Sequence, residues 1–355
     1  MRARGTIGLA LVLALVVVLP ARASYDPLAS GQAKLSLEKP FRALLSHNHL
    51  KLVGRKGARV VGQRSAILPV SGGEADPMIE KGSFELGGEL ILQGPRKKAP
   101  FTKLEVKTKR SPLYAKVGGG QQKVALARQI AFKREGFGYG FSATGLQLSQ
   151  KSAVRLDKRL DTEAFVANQP LGDLEVSSQP ATTAVLAAGR GTLVPDPAFL
   201  AKLKALHVSL TPISPAELAP GPVLSFPIAV GGMIAPDGAL GTIRLGGAME
   251  LLQQGAGQVF WQEPWIDLGT RVASAEANIQ PAPPYLGKEG RIGLFDLGPA
   301  ALASEPRART VSVSSAPLTL QAATAAALNE ALGERKEVFR AGEALGALSF
   351  TVQGQ

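Results

Sequence analysis

The sequence predicts a mainly β protein: two tandem β-rich, sandwich-like domains, each with two short helices, behind a signal peptide. Three observations carry this. An eleven-residue stretch occurs twice, GSFELGGELIL at 82–92 and GTIRLGGAMEL at 241–251, each an apolar/polar alternation, a Gly-Gly pair and a second apolar run. The flanks align on both sides of that stretch. Gly and Pro are abundant, 40 and 25 of 355 residues, while aromatics make up 5%, a balance that suits many short strands joined by tight turns. The length suggests about two domains. A unit of roughly 150 residues buries about 70% of its unfolded surface and can fold alone.

Residues 1–23, MRARGTIGLALVLALVVVLPARA, combine a basic start at Arg2 and Arg4, an apolar run from Ile7 to Leu19, a break at Pro20 and a small-x-small site at Ala21-Arg22-Ala23. That is the pattern of a secretory signal peptide. A retained anchor is the alternative, for which the apolar run is short. Residues 24–30 follow as an N-terminal linker. No later stretch is long and apolar enough to cross a bilayer, so the mature chain is expected outside the cytoplasm, secreted or at the cell surface. There is no cysteine, which excludes disulfides, thiolate metal sites and c-type haem attachment.

The first copy spans 31–178. Leu35 and Leu37 alternate as a strand. Pro40 then starts a helix with Phe41, Leu44 and Leu45 on one face, ending near Asn48. AILPVSGG (66–73) reads as a strand into a turn, and the repeated block follows. Gly94 and Pro95, then Arg96, Lys97 and Lys98, read as a hairpin loop. In KLEVKTK (103–109), Leu104 and Val106 face one way and Lys103, Glu105, Lys107 and Lys109 the other, a half-buried strand with a basic outer face. LYAKV (113–117), KVALARQIAF (123–132) and the glycine-aromatic GFGYGF (136–141) continue the strands. Ala153, Leu156 and Leu160 sit at helical spacing behind Ser149 as N-cap, and LGDLEVS (171–177) closes the unit.

After a linker at 179–188, the second copy spans 189–355 in the same order. Its first helix has Asp196 as N-cap, Pro197 at the first position and Phe199, Leu203 and Leu206 on one face. VLSFPIAVGG (223–232) matches 66–73 around Pro227 and Pro69. VFWQEPWIDL (259–268) takes the place of the basic strand, with Trp261 and Trp265 at even spacing and hence on one face unless Pro264 bulges the strand. Ala325, Leu328 and Leu332 mark the closing helix.

Charge separates the copies. Residues 24–180 hold 25 basic and 14 acidic side chains, whereas 181–355 hold 12 and 14. One fold thus carries two surface charges, which suggests different partners for each copy, or drift of an exposed surface. The lysines and arginines at 96–98, 103, 107 and 109 are candidates for contact with anionic groups. They read equally as a charged strand that discourages sheet-to-sheet pairing.

Few residues suggest chemistry. His47 and His49 follow the first helix, and His207 holds a comparable place in the second copy. A His-x-His pair on extended chain puts both rings on one side, able to contact a metal or a haem iron. The other reading is solvated or capping histidines. Tyr114, on a strand, and Tyr139, in the glycine-aromatic segment, either line a pocket or pack in the core. No metal site is assigned. No nucleophile elbow, phosphate loop or zinc-protease helix is present, so no enzyme is expected. No nucleic-acid recognition motif accompanies the high pI either.

The two copies resemble HtaA domains of secreted and surface proteins of actinobacteria. The Gly-x-apolar-x-apolar-Gly-Gly blocks (82–88 and 241–247), the strand ending WIDLG (265–269) and the helix-to-strand closes SAVRLDKRL…LGDLEV and AAALNEAL…LGALSF carry the resemblance. It covers nearly all of the mature chain. It implies a β-rich domain with two short helices that binds haem in iron acquisition at the cell surface, with a Tyr three residues after the Phe of the first helix as axial ligand and a His holding it. At that offset this chain has Leu44 after Phe41 and Lys202 after Phe199; Leu cannot ligate iron, and Lys is normally protonated. The expected partner is haem or another planar anionic ligand. The alternative is a cofactor-free surface module that binds anionic wall polymer or another protein.

Overall fold

In a computed structural model, residues 25–109, 112–117, 120–280, 290–332 and 337–355 are described. The expected signal peptide at 1–23 lies outside them. The first copy runs β1 (Asp26–Leu37), α1 (Lys39–His47), β2 (Lys51–Arg55), β3 (Arg59–Val61), β4 (Ser65–Asp76), β5 (Lys81–Leu86), β6 (Glu89–Gln93), β7 (Lys98–Lys107), β8 (Leu113–Val117), β9 (Gln121–Leu126), β10 (Gln129–Glu135), β11 (Gly138–Leu148), α2 (Gln150–Leu160) and β12 (Pro170–Pro180). Eight of these strands pair in the order β7-β5-β4-β1-β12-β11-β9-β8, and β8 pairs back onto β7. The expected β-rich unit is therefore a closed antiparallel ring whose opposite walls face each other across the core. Closure removes the free edges that an open sheet would expose. The pair β2–β6 extends from β7, β3 lies on β4, and β10 lies on β11.

The second copy repeats this element by element: β13 (Thr183–Pro195), α3 (Pro197–Ala205), β14 (Val208–Ile213), β15 (Glu217–Ala219), β16 (Val223–Ile234), β17 (Gly241–Leu245), β18 (Ala248–Gln253), β19 (Gly257–Asp267), β20 (Val272–Gln280), β21 (Gly290–Leu297), β22 (Ala301–Glu305), β23 (Thr310–Leu320), α4 (Ala322–Ala331) and β24 (Ala344–Gly354). Its ring is β19-β17-β16-β13-β24-β23-β21-β20, closed by β19–β20.

Alternation drives both rings. Along β12, Leu174, Val176 and Ser178 are buried while Asp173, Glu175 and Ser177 are exposed, the period-two pattern of a sheet with one wet face. The helices plug the rings: Phe41 and Leu45 of α1 and Leu156 and Leu160 of α2 are buried. The N-termini of α2 and α3 are capped by side chains. Ser149 Oγ accepts from Ser152 N at 3.2 Å, and Asp196 Oδ1 accepts from Ala198 N at 2.8 Å. The repeated Gly-Gly is a packing requirement. Gly88 and Gly247 have φ of 93° and 98°, and a Cβ there would lie 2.7 Å from Ala58 N and 2.4 Å from Ala216 N.

Three local expectations change. Residues 26–30 belong to β1, while β12 runs to Pro180 and β13 starts at Thr183, so strand occupies most of both expected linkers. Lys103 has a φ of 50° and sits where the β7–β8 register shifts, between Thr102 and Glu105. Beyond that shift the alternation holds as expected through Lys107, with Leu104 and Val106 buried and Lys103, Glu105 and Lys107 outward, but β7 ends before Lys109. Glu263 has a φ of 45° at the same kind of shift in β19, between Gln262 and Trp265. That bulge separates the two tryptophans: Trp261 is buried, edge-on to Phe295 at 5.2 Å, whereas Trp265 is half-buried on the outer wall.

Each ring encloses its own apolar cluster, with one exchange. Phe137, from the turn between β10 and β11, is 2% exposed and packs into the second cluster. The glycine-aromatic segment is thus a fastener between the barrels. Beside it, the fully buried Asp26 accepts from Tyr139 Oη, from Thr183 Oγ1 at 2.7 Å and from Ala184 N at 3.3 Å.

Candidate functional site

The candidate site lies at the C-terminus of α1. Asn48 is the C-cap, and Leu50 N donates to Leu45 O at 2.8 Å while His49 N donates to Ser46 O at 3.1 Å. This pair of bonds is the Schellman arrangement, which places the residue after the cap in the left-handed region. His49 occupies that position with a φ of 52°, and His207 occupies its counterpart after α3 with a φ of 55°, donating from N to Lys204 O at 3.1 Å. The extended His-x-His pair expected from spacing does not form, because His47 still belongs to the helix and the chain reverses at His49.

His49 opens onto a recess of about 780 Å³ between α1, β2 and the β6–β7 hairpin. Arg42, His49 and Lys51 supply basic groups, Gln63 and Gln93 supply amides, and Leu45, Leu50 and Val53 supply apolar surface. Among the described residues no carboxylate lines it. Arg42 Nε is buried without a hydrogen-bond partner among the described residues. Gln63 fixes one wall: its Oε1 accepts from Leu52 N at 2.8 Å and its Nε2 donates to Leu52 O at 2.9 Å, which pairs the β3 turn to the edge of β2. Volumes of 300–1,000 Å³ are typical of small-molecule sites. The second barrel has a recess of about 480 Å³ at the same place, lined by His207 and Lys204 but otherwise mostly apolar, with Leu200, Leu210, Leu218 and Leu224.

Of the other candidates, the hairpin residues come closest. Gly94 and Pro95 line the first recess, and Arg96, Lys97 and Lys98 follow them, all exposed. Lys97 pairs with Asp161 at 3.1 Å. Lys107 pairs with Glu105 at 3.2 Å and lies 5.1 Å from the ring of Tyr114, so the strand's basic face is partly neutralised. Tyr114 sits half-buried on the outer wall, away from the recess. Lys103 lines a separate hollow with Glu85, Glu105 and Gln121. Tyr139 is buried at the barrel junction and its hydroxyl is spent on Asp26. Burial, reinforced by that carboxylate, pushes the Tyr139 phenol well above its ordinary range, which removes phenolate chemistry there. Burial likewise pushes Asp26 up, against the pull of its three donors and Arg134.

Spacing points to His49 but not to Arg42, Lys51 or Gln63. Arg42, Leu45 and Ser46 stand at i, i+3 and i+4, one helical face, and that periodicity is the cue for the first of them. At the offsets where the resemblance implies an iron-ligating Tyr, Leu44 packs against the core. Lys202 Nζ donates to Val338 O at 2.9 Å and pairs with Glu343. Neither is free to ligate. Among the described residues no three His, Cys, Asp or Glu side chains form a metal cluster, and no helix is long and apolar enough to cross a membrane.

No family model and no curated protein matches the chain. Among solved structures it is similar to the C-terminal domain of HtaA from Corynebacterium glutamicum, at 14% identity over 44% of this chain and 99% of that one, with a TM-score of 0.36. It is also similar to the N-terminal domain of HtaA from the same organism, at 16% identity over 48% of this chain and 98% of that one, with a TM-score of 0.34. Each likeness spans about half of this chain.

Proposed function

We propose that the chain is an exported, non-catalytic binding protein of two HtaA-like domains, 31–178 and 189–355, that takes a planar anionic ligand of the haem class in the recess beside α1. The carrying observation is the recess itself: basic side chains from Arg42, His49 and Lys51 over an apolar floor, with no acidic lining among the described residues. Apolar surface suits a macrocycle, Arg42 and Lys51 suit its carboxylates, and neutral imidazole is a good ligand for iron. With Leu44 and Lys202 unable to ligate, iron contact in the first barrel falls to His49. The sequence resemblance points to the same ligand class.

Hemin titration of the whole protein tests this. The expected result is a saturable, stoichiometric Soret shift that His49→Ala abolishes and Arg42→Gln weakens. Absence of a saturable shift overturns it. The basic surplus of the first copy favours a second reading, a surface module that holds anionic wall polymer by screened Coulomb attraction. Retention on cell walls would then fall steeply with salt, since the Debye length is about 8 Å at physiological strength.

A further inference from the structure

The outer wall of the second barrel carries an arrangement that the haem reading does not use. Trp265 on β19 lies between two guanidinium groups. Arg244 reaches it from β17, as its cross-strand partner, and Arg291 reaches it from β21, beyond β20 on the other side. Each Cζ is 4.0 Å from the indole ring centroid. Arg291 is anchored, with Nη1 donating to Glu263 O at 3.0 Å and Ser274 O at 3.2 Å. Its nearest carboxylate, Glu276, is more than half exposed and 3.9 Å away. The Arg244 side chain makes no hydrogen bond or ion pair with a described residue. Arg244 Nε, Arg291 Nη2 and Trp265 Nε1 are all buried without a hydrogen-bond partner among the described residues.

The stack is incomplete as it stands. Cation–π attraction holds each guanidinium to the indole, but the two cations repel, and buried donors without acceptors are costly. Burial, with Arg244 adding to it, pushes the Arg291 guanidinium below its usual range. Water can accept from the donors but brings no charge. An oxyanion does both, and planar guanidinium groups match its geometry. The first barrel is an internal contrast: at the equivalent positions Glu85 stands opposite Glu105, with Gln121 and Lys103 beside them. The guanidinium pair therefore has no counterpart at these positions of the first barrel.

We propose that Arg244, Trp265 and Arg291 form an oxyanion-binding site, specific to the second barrel, for a phosphate or carboxylate group of an acidic ligand. The site is independent of the haem recess and stands or falls without hemin.

Trp261 and Trp265 are the two tryptophans of the chain, so ¹⁵N-labelled whole protein gives two indole N–H resonances, assigned through Trp265→Phe. Inorganic phosphate and malonate are titrated separately against sodium chloride at matched ionic strength. The Trp265 resonance is expected to shift saturably while Trp261, inside the core, stays in place and reports an intact fold. Arg244→Gln and Arg291→Gln are each expected to raise the midpoint at least tenfold with the Trp261 resonance unmoved. Saturation by phosphate alone assigns a phosphate-bearing ligand, and by malonate alone a carboxylate. A shift no larger than that with chloride, or one that survives both arginine substitutions, overturns the proposal.

Discussion

His49 and His207 hold a conformation that costs an L-residue about 1–2 kcal/mol relative to glycine. His49→Gly is therefore expected to stabilise the protein, by about 1 kcal/mol in denaturant unfolding, while abolishing the hemin shift. His49→Ala keeps the backbone cost and loses the imidazole, so binding falls with no gain in stability. A gain in stability with binding retained would make His49 a turn residue only. Tyr139 gives a second residue-scale prediction. Asp26 is held above its ordinary 3.8 by burial, so the proton's contribution to stability is full below that pH and is lost as pH rises through the raised folded value. Tyr139→Phe removes one donor from the carboxylate. The variant should be less stable by about 1.5–3 kcal/mol at neutral pH, and the deficit should shrink as Asp26 protonates on acidification. Sequence showed that a histidine recurs after each first helix. It could not show the turn, because a Schellman position is signalled by glycine and both copies depart from that habit.

Among elements, the repeated Gly-Gly turn is where the sequence spoke most plainly. Two copies of one glycine pair in one spacing imply a backbone need, and the left-handed Gly88 and Gly247 against Ala58 and Ala216 supply it. Gly88→Ala is expected to cost at least about 2 kcal/mol, read as a lowered midpoint of urea unfolding; a neutral outcome would mean the β3 turn yields freely. The bulge at Lys103 carried no such mark, whereas Pro264 flagged the one at Glu263. Alternation runs unbroken from Lys103 through Lys107, as read from the sequence, and only the outward Thr102 before it betrays the bulge. The condition set on Trp265 was decided there: the strand bulges beside Pro264, and a bulge reverses every face beyond it.

Across the whole molecule, duplication was legible because order and spacing repeat over nearly all of residues 31–355. Ring closure and the exchange at Phe137 were not. Which core an aromatic enters depends on how two folded bodies meet, and nothing local encodes that. Phe137→Ala makes the exchange measurable. Both tryptophans lie in the second barrel, so their fluorescence reports its unfolding alone. The substitution lies in the first copy, yet it should destabilise that transition by about 3–5 kcal/mol, the usual cost of emptying a buried Phe site. An unmoved tryptophan transition would show the barrels to be energetically separate. In each ring the opening strand pairs with the closing one, β1 with β12 and β13 with β24. The polypeptide thus leaves a barrel through the neighbour of the strand by which it entered. Such a body can be spliced into a chain, or strung in series, without rethreading what comes before or after it. Growth by whole beads is then the cheap route for this architecture, and a three-bead concatemer should assemble as readily as the pair.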